Sequence, residues 1–345
     1  MHSRWARKQL RRMLLLVCAG AVAIAGLLLL QPPRAELSVL CSNNSPSCRA
    51  TADAFEAQTN RRVHVVRLPT SEALARLQLN TSRPEFDVWL GGPAESYVEA
   101  SRDGLFAPIA DLPSVRLLPS QLRDPDGYWA GVYGGILAFC VNTDMVAAGE
   151  EPGSWQELLD SDFRGQILAP NPLLSGTAAT MLWVQFGRLG AVEPAIAYMD
   201  ALEDQLQGYV DSGTDVARNV ARGRAGIGIS FAPYCEAEKD SGYPVVTVFP
   251  SEGTGYEIGA IALLSNSANP ELARMFIDFA VSAPGQRISS GVLSQLATSS
   301  QVSPNLPEAL AGLDVPLVSG DLTEAARMRP ILIEAWARQV RDGAY

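Results

Sequence analysis

Apolar positions recur along the chain in two alternating rhythms. Over residues 36–107, short continuous apolar runs are separated by stretches with helical spacing. "LSVLC" reads as a strand, residues 48–59 as an amphipathic helix ending at Thr59-Asn60, and "VHVVRL" as a second strand. Residues 70–79 repeat the helical spacing, "FDVWLGG" is a third strand, and 93–101 a third helix. Strand–helix–strand alternation predicts an α/β fold with a parallel sheet covered on both faces. Ligands of such sheets sit beyond the carboxyl ends of the strands. Two of those ends are Cys41-Ser42-Asn43-Asn44 and Gly91-Gly92, both small and polar enough for a ligand-facing loop.

From 128 to 143 the pattern changes to a longer apolar run, "YWAGVYGGILAFCVNT". A second alternating unit follows, with helices over 154–161, from 175 onward, over 191–203 and over 214–222. Strands are expected near 167 and 207 and at "AGIGISF", "YPVVTVF" and "IGAIALL"; the chain is mostly helical from 269. Two α/β lobes fit this pattern better than one large sheet, with crossings near 140 and 250. Residues 35–139 with 255–345 would form the first lobe and 140–254 the second.

The first 34 residues stand apart. Arg4, Arg7, Lys8, Arg11 and Arg12 precede an unbroken apolar run over 13–30, which ends at Gln31-Pro32-Pro33-Arg34. This is an export signal or an N-terminal membrane anchor, with the remainder placed outside the cytoplasm. Its 18 residues suit a long cleaved leader or a short span. No clear Ala-x-Ala cleavage site follows, and Val17 before Cys18 makes a poor lipidation signal.

Charge narrows the ligand classes. Six of the 27 cationic side chains and none of the 37 acidic ones fall in the leader, so the exported part carries about −16. That argues against nucleic acid and anionic membranes as partners. A local site can still hold an anion, because a global field is screened. Lys239 is the sole lysine after the leader, and no phosphate-loop lysine or Schiff-base chemistry is suggested. Cys41, Cys48, Cys140 and Cys235 form an even set suited to two disulfides in an oxidising compartment. Of the three possible pairings, Cys41–Cys48 with Cys140–Cys235 is preferred, because the first two lie close across a turn. One histidine after the leader, His64, and no Cys-x-x-Cys spacing argue against a zinc site.

One junction raises a chemical question. In "ILAPNPLLSGTAATMLW" a short strand is broken by Pro170 and Pro172, and Ser175-Gly176-Thr177 opens a helix. The two hydroxyls can cap that helix, or the helix start can hold an anion. The triplet alone fits both.

Seven stretches, in order, resemble the solute-binding proteins of ABC importers, with the type 2 periplasmic-binding fold. They are "LSVLCS", "ATADAFEAQTNRRVHVV", "FDVWLGGPAESYVEASRDGLFAPI", "GYWAGVYGGILAFCVNTDM", "SWQELLDSDFRGQILAPNPLLSGTA", "VARGRAGIGISF" and "ANPELARMFIDFAVSAPGQ". The branch it looks most like contains ferric-iron binders together with binders of phosphonates and phosphorylated sugars. The resemblance implies a two-lobed clamp with the ligand between the lobes, a membrane permease as partner, a monomer, and no cofactor. Its ferric members carry a tandem tyrosine after the strand matching "AGIGISF"; here that stretch is "SFAPYCEAEK", with Tyr234 alone. "PSEGTGYEIGAIAL" is similar to the organophosphate relatives, although those have His-Asp where Pro233-Tyr234 stands.

The resemblance turns Ser175, Gly176 and Thr177 toward the cleft from the second lobe, and Ser42 and Asn43 from the first. Gly91 and Gly92 would let backbone donors approach a ligand, and Tyr133 would close over an organic group. Tyr234 supplies a phenol, and Glu252, in a Gly-rich loop, would accept from ligand hydroxyls or an ammonium. Trp89 reads as core, and Asp215 with Arg218 as a surface pair. An enzyme would need a nucleophile and base, and the chain has no Gly-x-Ser-x-Gly, no His-Glu-x-x-His and no spare histidine. The expected function is extracytoplasmic capture of an organic phosphate or phosphonate for import. Ferric iron with an external anion, or sensing by an anchored form of the same clamp, are the alternatives.

Overall fold

In the computed structural model, residues 37–318 and 321–341 are described, and the leader expected over 1–34 lies outside them. Strand β1 (Leu37–Cys41) leads through helix α1 (Ser45–Thr59) to β2 (Val63–Arg67), and α2 (Thr70–Leu79) leads on to β3 (Val88–Pro93). β1 lies between β2 and β3, parallel to both. α1 ends where Asn60 turns left-handed at φ 55°, a conformation Asn tolerates well. Helix α3 (Ala94–Arg102), the two-residue β4 (Phe106–Ala107) and the short α4 (Pro113–Arg116) precede the long β5 (Trp129–Asn142), every residue of which is buried.

The second lobe is built from β6 (Ile167–Pro170), α5 (Gly176–Leu189), α6 (Val192–Glu203), β7 (Leu206–Val210), α7 (Gly213–Ala221), β8 (Ile227–Phe231), α8 (Ala232–Asp240) and β9 (Val245–Val248). Strand β10 (Tyr256–Leu264) then returns between β3 and β5, antiparallel to both. The remainder is helical: α9 (Pro270–Val281), α10 (Ala283–Leu293), α11 (Leu306–Ala311) and α12 (Leu322–Trp336), with the short β11 (Leu296–Ala297) on β5.

β5 joins the lobes by changing partners. Up to Ile136 it pairs with β10, and from Leu137 with β8 and β9. The segment between β9 and β10 makes the return crossing, where Leu137 N–H donates to the Gly255 carbonyl at 2.9 Å. Each lobe has its own core. In the first, Phe55 of α1 meets Phe276 of α9 edge-on at 5.2 Å on one face of the sheet. On the other face Trp89 of β3 stacks on Tyr97 of α3 at 4.2 Å. The second core centres on Phe139 and Trp155, edge-to-face at 4.9 Å. Both lobes belong to one compact unit.

Two expectations are corrected. The helix expected over 154–161 is two short 3-10 turns, Glu157–Leu159 and Ser161–Phe163. The Glu252 carboxylate takes the N–H groups of Trp155 and Gln156 at 2.8 and 3.0 Å, and Asp160 caps the second turn. The Cys41–Cys48 bridge is present, but Cys140 and Cys235 are buried free thiols. They pack as small apolar groups in the second core, and burial with the neighbouring Cys140 thiol pushes the Cys235 thiol well above its ordinary range. Helix α12 bridges the lobes: Met328, Leu332 and Trp336 join the second core, and the helix also packs along α3 of the first lobe.

Candidate functional site

The cleft between the lobes is walled by strand ends and helix starts, as parallel connections dictate. From the first lobe come Ser42, Asn43 and Asn44 after β1, Arg67 at the end of β2, Pro69 and Thr70 opening α2, and Gly92 and Pro93 ending β3. From the second come Ser175, Gly176 and Thr177 opening α5, and Ser212, Gly213 and Thr214 opening α7, with Asp211 before them. Tyr133, Tyr234 and Glu257 form the floor, and about 370 Å³ of empty space remains, mouth included.

The helix-cap question is answered by the hydroxyls. Ser175 stands at the N-cap position of α5 but its side chain makes no capping bond. At α7 the equivalent Ser212 does cap, accepting from Asp215 N–H at 3.2 Å. The starts of α1, α2, α5 and α7 all border the cleft, so the positive ends of four backbone dipoles converge there. Arg67 adds the full charge. Its Nε donates to the Asn43 carbonyl at 3.4 Å, and among the described residues it forms no ion pair with a carboxylate.

The floor is a hydrogen-bonded chain. Asn43 Nδ2 donates to Gln295 Oε1 at 3.1 Å, and Gln295 Nε2 to Asn43 Oδ1 at 3.2 Å. Gln295 Nε2 also approaches the Tyr234 hydroxyl, which donates to Glu257 Oε1 at 3.3 Å. Gly92 N–H donates to the Tyr133 hydroxyl at 3.0 Å. Burial raises both phenols well above their ordinary range. Burial, reinforced by the Glu95 carboxylate, pushes Glu257 up to about 8, so at neutral pH it holds a proton and can donate.

The family model for bacterial extracellular solute-binding proteins matches residues 50–310. The chain belongs to that family. An uncharacterised protein of Haemophilus influenzae is 30% identical to this solute-binding protein over 319 residues, 89% of this chain and 91% of its own. The periplasmic binding protein AfuA of Actinobacillus pleuropneumoniae, solved with fructose 6-phosphate, has a TM-score of 0.81 at 29% identity, covering 88% of this chain and 98% of AfuA. A ferric binding protein from Campylobacter jejuni shares the fold, with a TM-score of 0.75 at 19% identity, covering 88% and 98%. The two-lobed α/β architecture is that of periplasmic binding proteins, and the family's role is binding rather than catalysis.

Eight of the ten residues singled out in the sequence border the cleft: Ser42, Asn43, Gly92, Tyr133, Ser175, Gly176, Thr177 and Tyr234. Gly91 stands behind it with φ +85°, its carbonyl accepting from Tyr97 at 2.9 Å. The Gly92 N–H expected for the ligand is spent on Tyr133. Glu252 lies elsewhere, bracing the 155–156 backbone beside Arg188. Arg67, Thr70, Ser212 and Glu257 escaped the sequence reading. Arg67 ends "VHVVRL", the second strand in chain order, so the strand-end rule applied to it as to the first and third. Glu257 sits inside an apolar strand, where its alternation with Tyr256 and Ile258 was the available sign.

Proposed function

We propose that this solute-binding protein captures a small organic phosphate or phosphonate bearing hydroxyl groups and delivers it to an ABC permease. One observation carries the anion: among the described residues Arg67 forms no ion pair with a carboxylate, where four helix starts converge with Thr177 and with a Ser175 hydroxyl that makes no capping bond. A phosphoryl group satisfies all of these donors at once. The hydroxyl-bearing end rests on the floor. Among the described residues, buried Asn44 Oδ1 has no hydrogen-bond partner and calls for a donor, while protonated Glu257 supplies one. Fructose 6-phosphate, the ligand in AfuA, has both halves. The leader supports export, as a cleaved signal or an anchor, and the clamp needs no second copy to complete its cleft.

Thermal melts of the purified protein with fructose 6-phosphate, other sugar phosphates, alkylphosphonates, polyamines and ferric citrate test the reading. A ligand at a hundred times its Kd adds about 2.7 kcal/mol, about 4 °C at this size. A shift with phosphorylated compounds that Arg67→Gln abolishes is the expected result. A shift with ferric citrate alone overturns it.

A further inference from the structure

The lobes touch at one rim of the cleft, and a side chain outside the cleft grips that rim. Ser71, next to cleft-lining Thr70, donates its N–H to the Leu174 carbonyl across the gap at 3.3 Å. Its hydroxyl accepts from Arg329 Nη2 at 2.7 Å, and Arg329 Nη1 lies 3.4 Å from Glu99 Oε2 of α3. Arg329 belongs to α12, whose Met328, Leu332 and Trp336 are fixed in the second core and which packs along α5 and α6 there and along α3 of the first lobe. Its partners Ser71 and Glu99 both belong to the first lobe.

The Arg329 side chain is only 7% exposed, and its buried Nε has no hydrogen-bond partner among the described residues. A guanidinium with one hydroxyl, one carboxylate and an orphaned N–H recovers water when the lobes part. The grip therefore favours the closed form by a modest amount, which suits a clamp that must also release.

We propose that Arg329 is a positioning residue: a latch on α12, whose apolar side chains are anchored in the second core, that holds the first lobe closed and sets affinity without touching the ligand. This rests on the reading of the cleft as one that closes on its solute. Removing the latch speeds dissociation, whereas removing a ligand contact would also change which solute is preferred.

The test uses the full chain and the variants Arg329→Met, Arg329→Lys, Glu99→Gln and Ser71→Ala. Fructose 6-phosphate binding and release are measured by calorimetry and stopped flow, and the interlobe distance by paired labels with and without ligand. Expected are a 5- to 30-fold faster release for Arg329→Met, a 2- to 5-fold effect for Ser71→Ala, partial rescue by Lys, and a lengthened interlobe distance. Ser71→Ala leaves the buried guanidinium in place and serves if the Met variant fails to fold. Unchanged release and distance in every variant, with only lower melting temperatures, overturn the latch. Failure of fructose 6-phosphate to bind overturns the ligand reading, and the latch is then judged on the ligand-free distances, where no difference between wild type and Ser71→Ala overturns it.

Discussion

Gly176→Ala separates closure from folding. A Cβ at Gly176 would lie 2.4 Å from Pro93 Cδ, 2.8 Å from Cγ and 3.0 Å from Thr70 Oγ1, all on the opposite lobe. Ordinary carbon contacts begin near about 3.5 Å, and a proline ring cannot rotate aside, so the lobes would have to part by about 1 Å at this point. Overpacking of this kind costs about 1–3 kcal/mol, or about 5- to 150-fold in Kd. The three nearest atoms thus all belong to the other lobe, and Ala is the better helix former by up to about 1 kcal/mol. Calorimetric titration with fructose 6-phosphate, alongside melts of the ligand-free protein, reads both effects. Weaker binding with an unchanged or higher melting temperature is expected. An affinity within twofold of wild type would falsify the claim that the lobes meet at Gly176 in the bound form.

Other perturbations probe the supporting structure. Glu252→Ala orphans the N–H groups of Trp155 and Gln156 and should lower stability by about 1–3 kcal/mol. Urea unfolding should show that loss while affinity at saturation is retained; lost binding with intact stability would return Glu252 to the site. Cys41→Ser with Cys48→Ser opens a short loop whose closure entropy is worth about 2.5 kcal/mol, which a drop of about 4 °C in melting temperature should report. Glu257 titrates near 8 in the fold against the ordinary carboxyl range unfolded. Its contribution is thus fully present at acid pH and is lost as pH rises through that window, by up to about 1.4 kcal/mol per pH unit. Urea midpoints of wild type and Glu257→Gln should diverge between pH 5 and 8; parallel curves would mean that Glu257 is ionised throughout.

Elements with a strong local signature were legible. The helices from 70 and from 175 and the strands around 37, 63 and 88 each carry periodicity and end signals. The cleft followed for residues at strand ends and helix starts, because topology alone brings those positions together. What long-range packing decides was not legible. Residues 154–161 have helical spacing, yet a carboxylate nearly a hundred residues away takes their N–H groups. The placement of α12 depends on which lobe accepts Trp336, and no local pattern states that. Glu257 was hidden for a similar reason: a buried carboxyl in an apolar strand shows its role only through Tyr234 and Glu95.

Those two neighbours bear on a tension in the charge. An exported chain of about −16 is an unpromising host for a phosphate. Screening confines each surface charge to about 8–10 Å, so the cleft's own inventory decides. Two acids border it: Asp211 is exposed and solvated, and Glu257 is pushed up to about 8 by burial and by Glu95 behind it. With Glu257 protonated, Arg67 and the four helix starts leave the interior positive. Glu95 would then act on the ligand without reaching it, by keeping a proton on the carboxyl in front. Replacing Glu95 with Gln should let Glu257 ionise at lower pH and move the alkaline loss of phosphate-ester binding to lower pH as well. An unmoved binding profile would show that desolvation alone holds the proton.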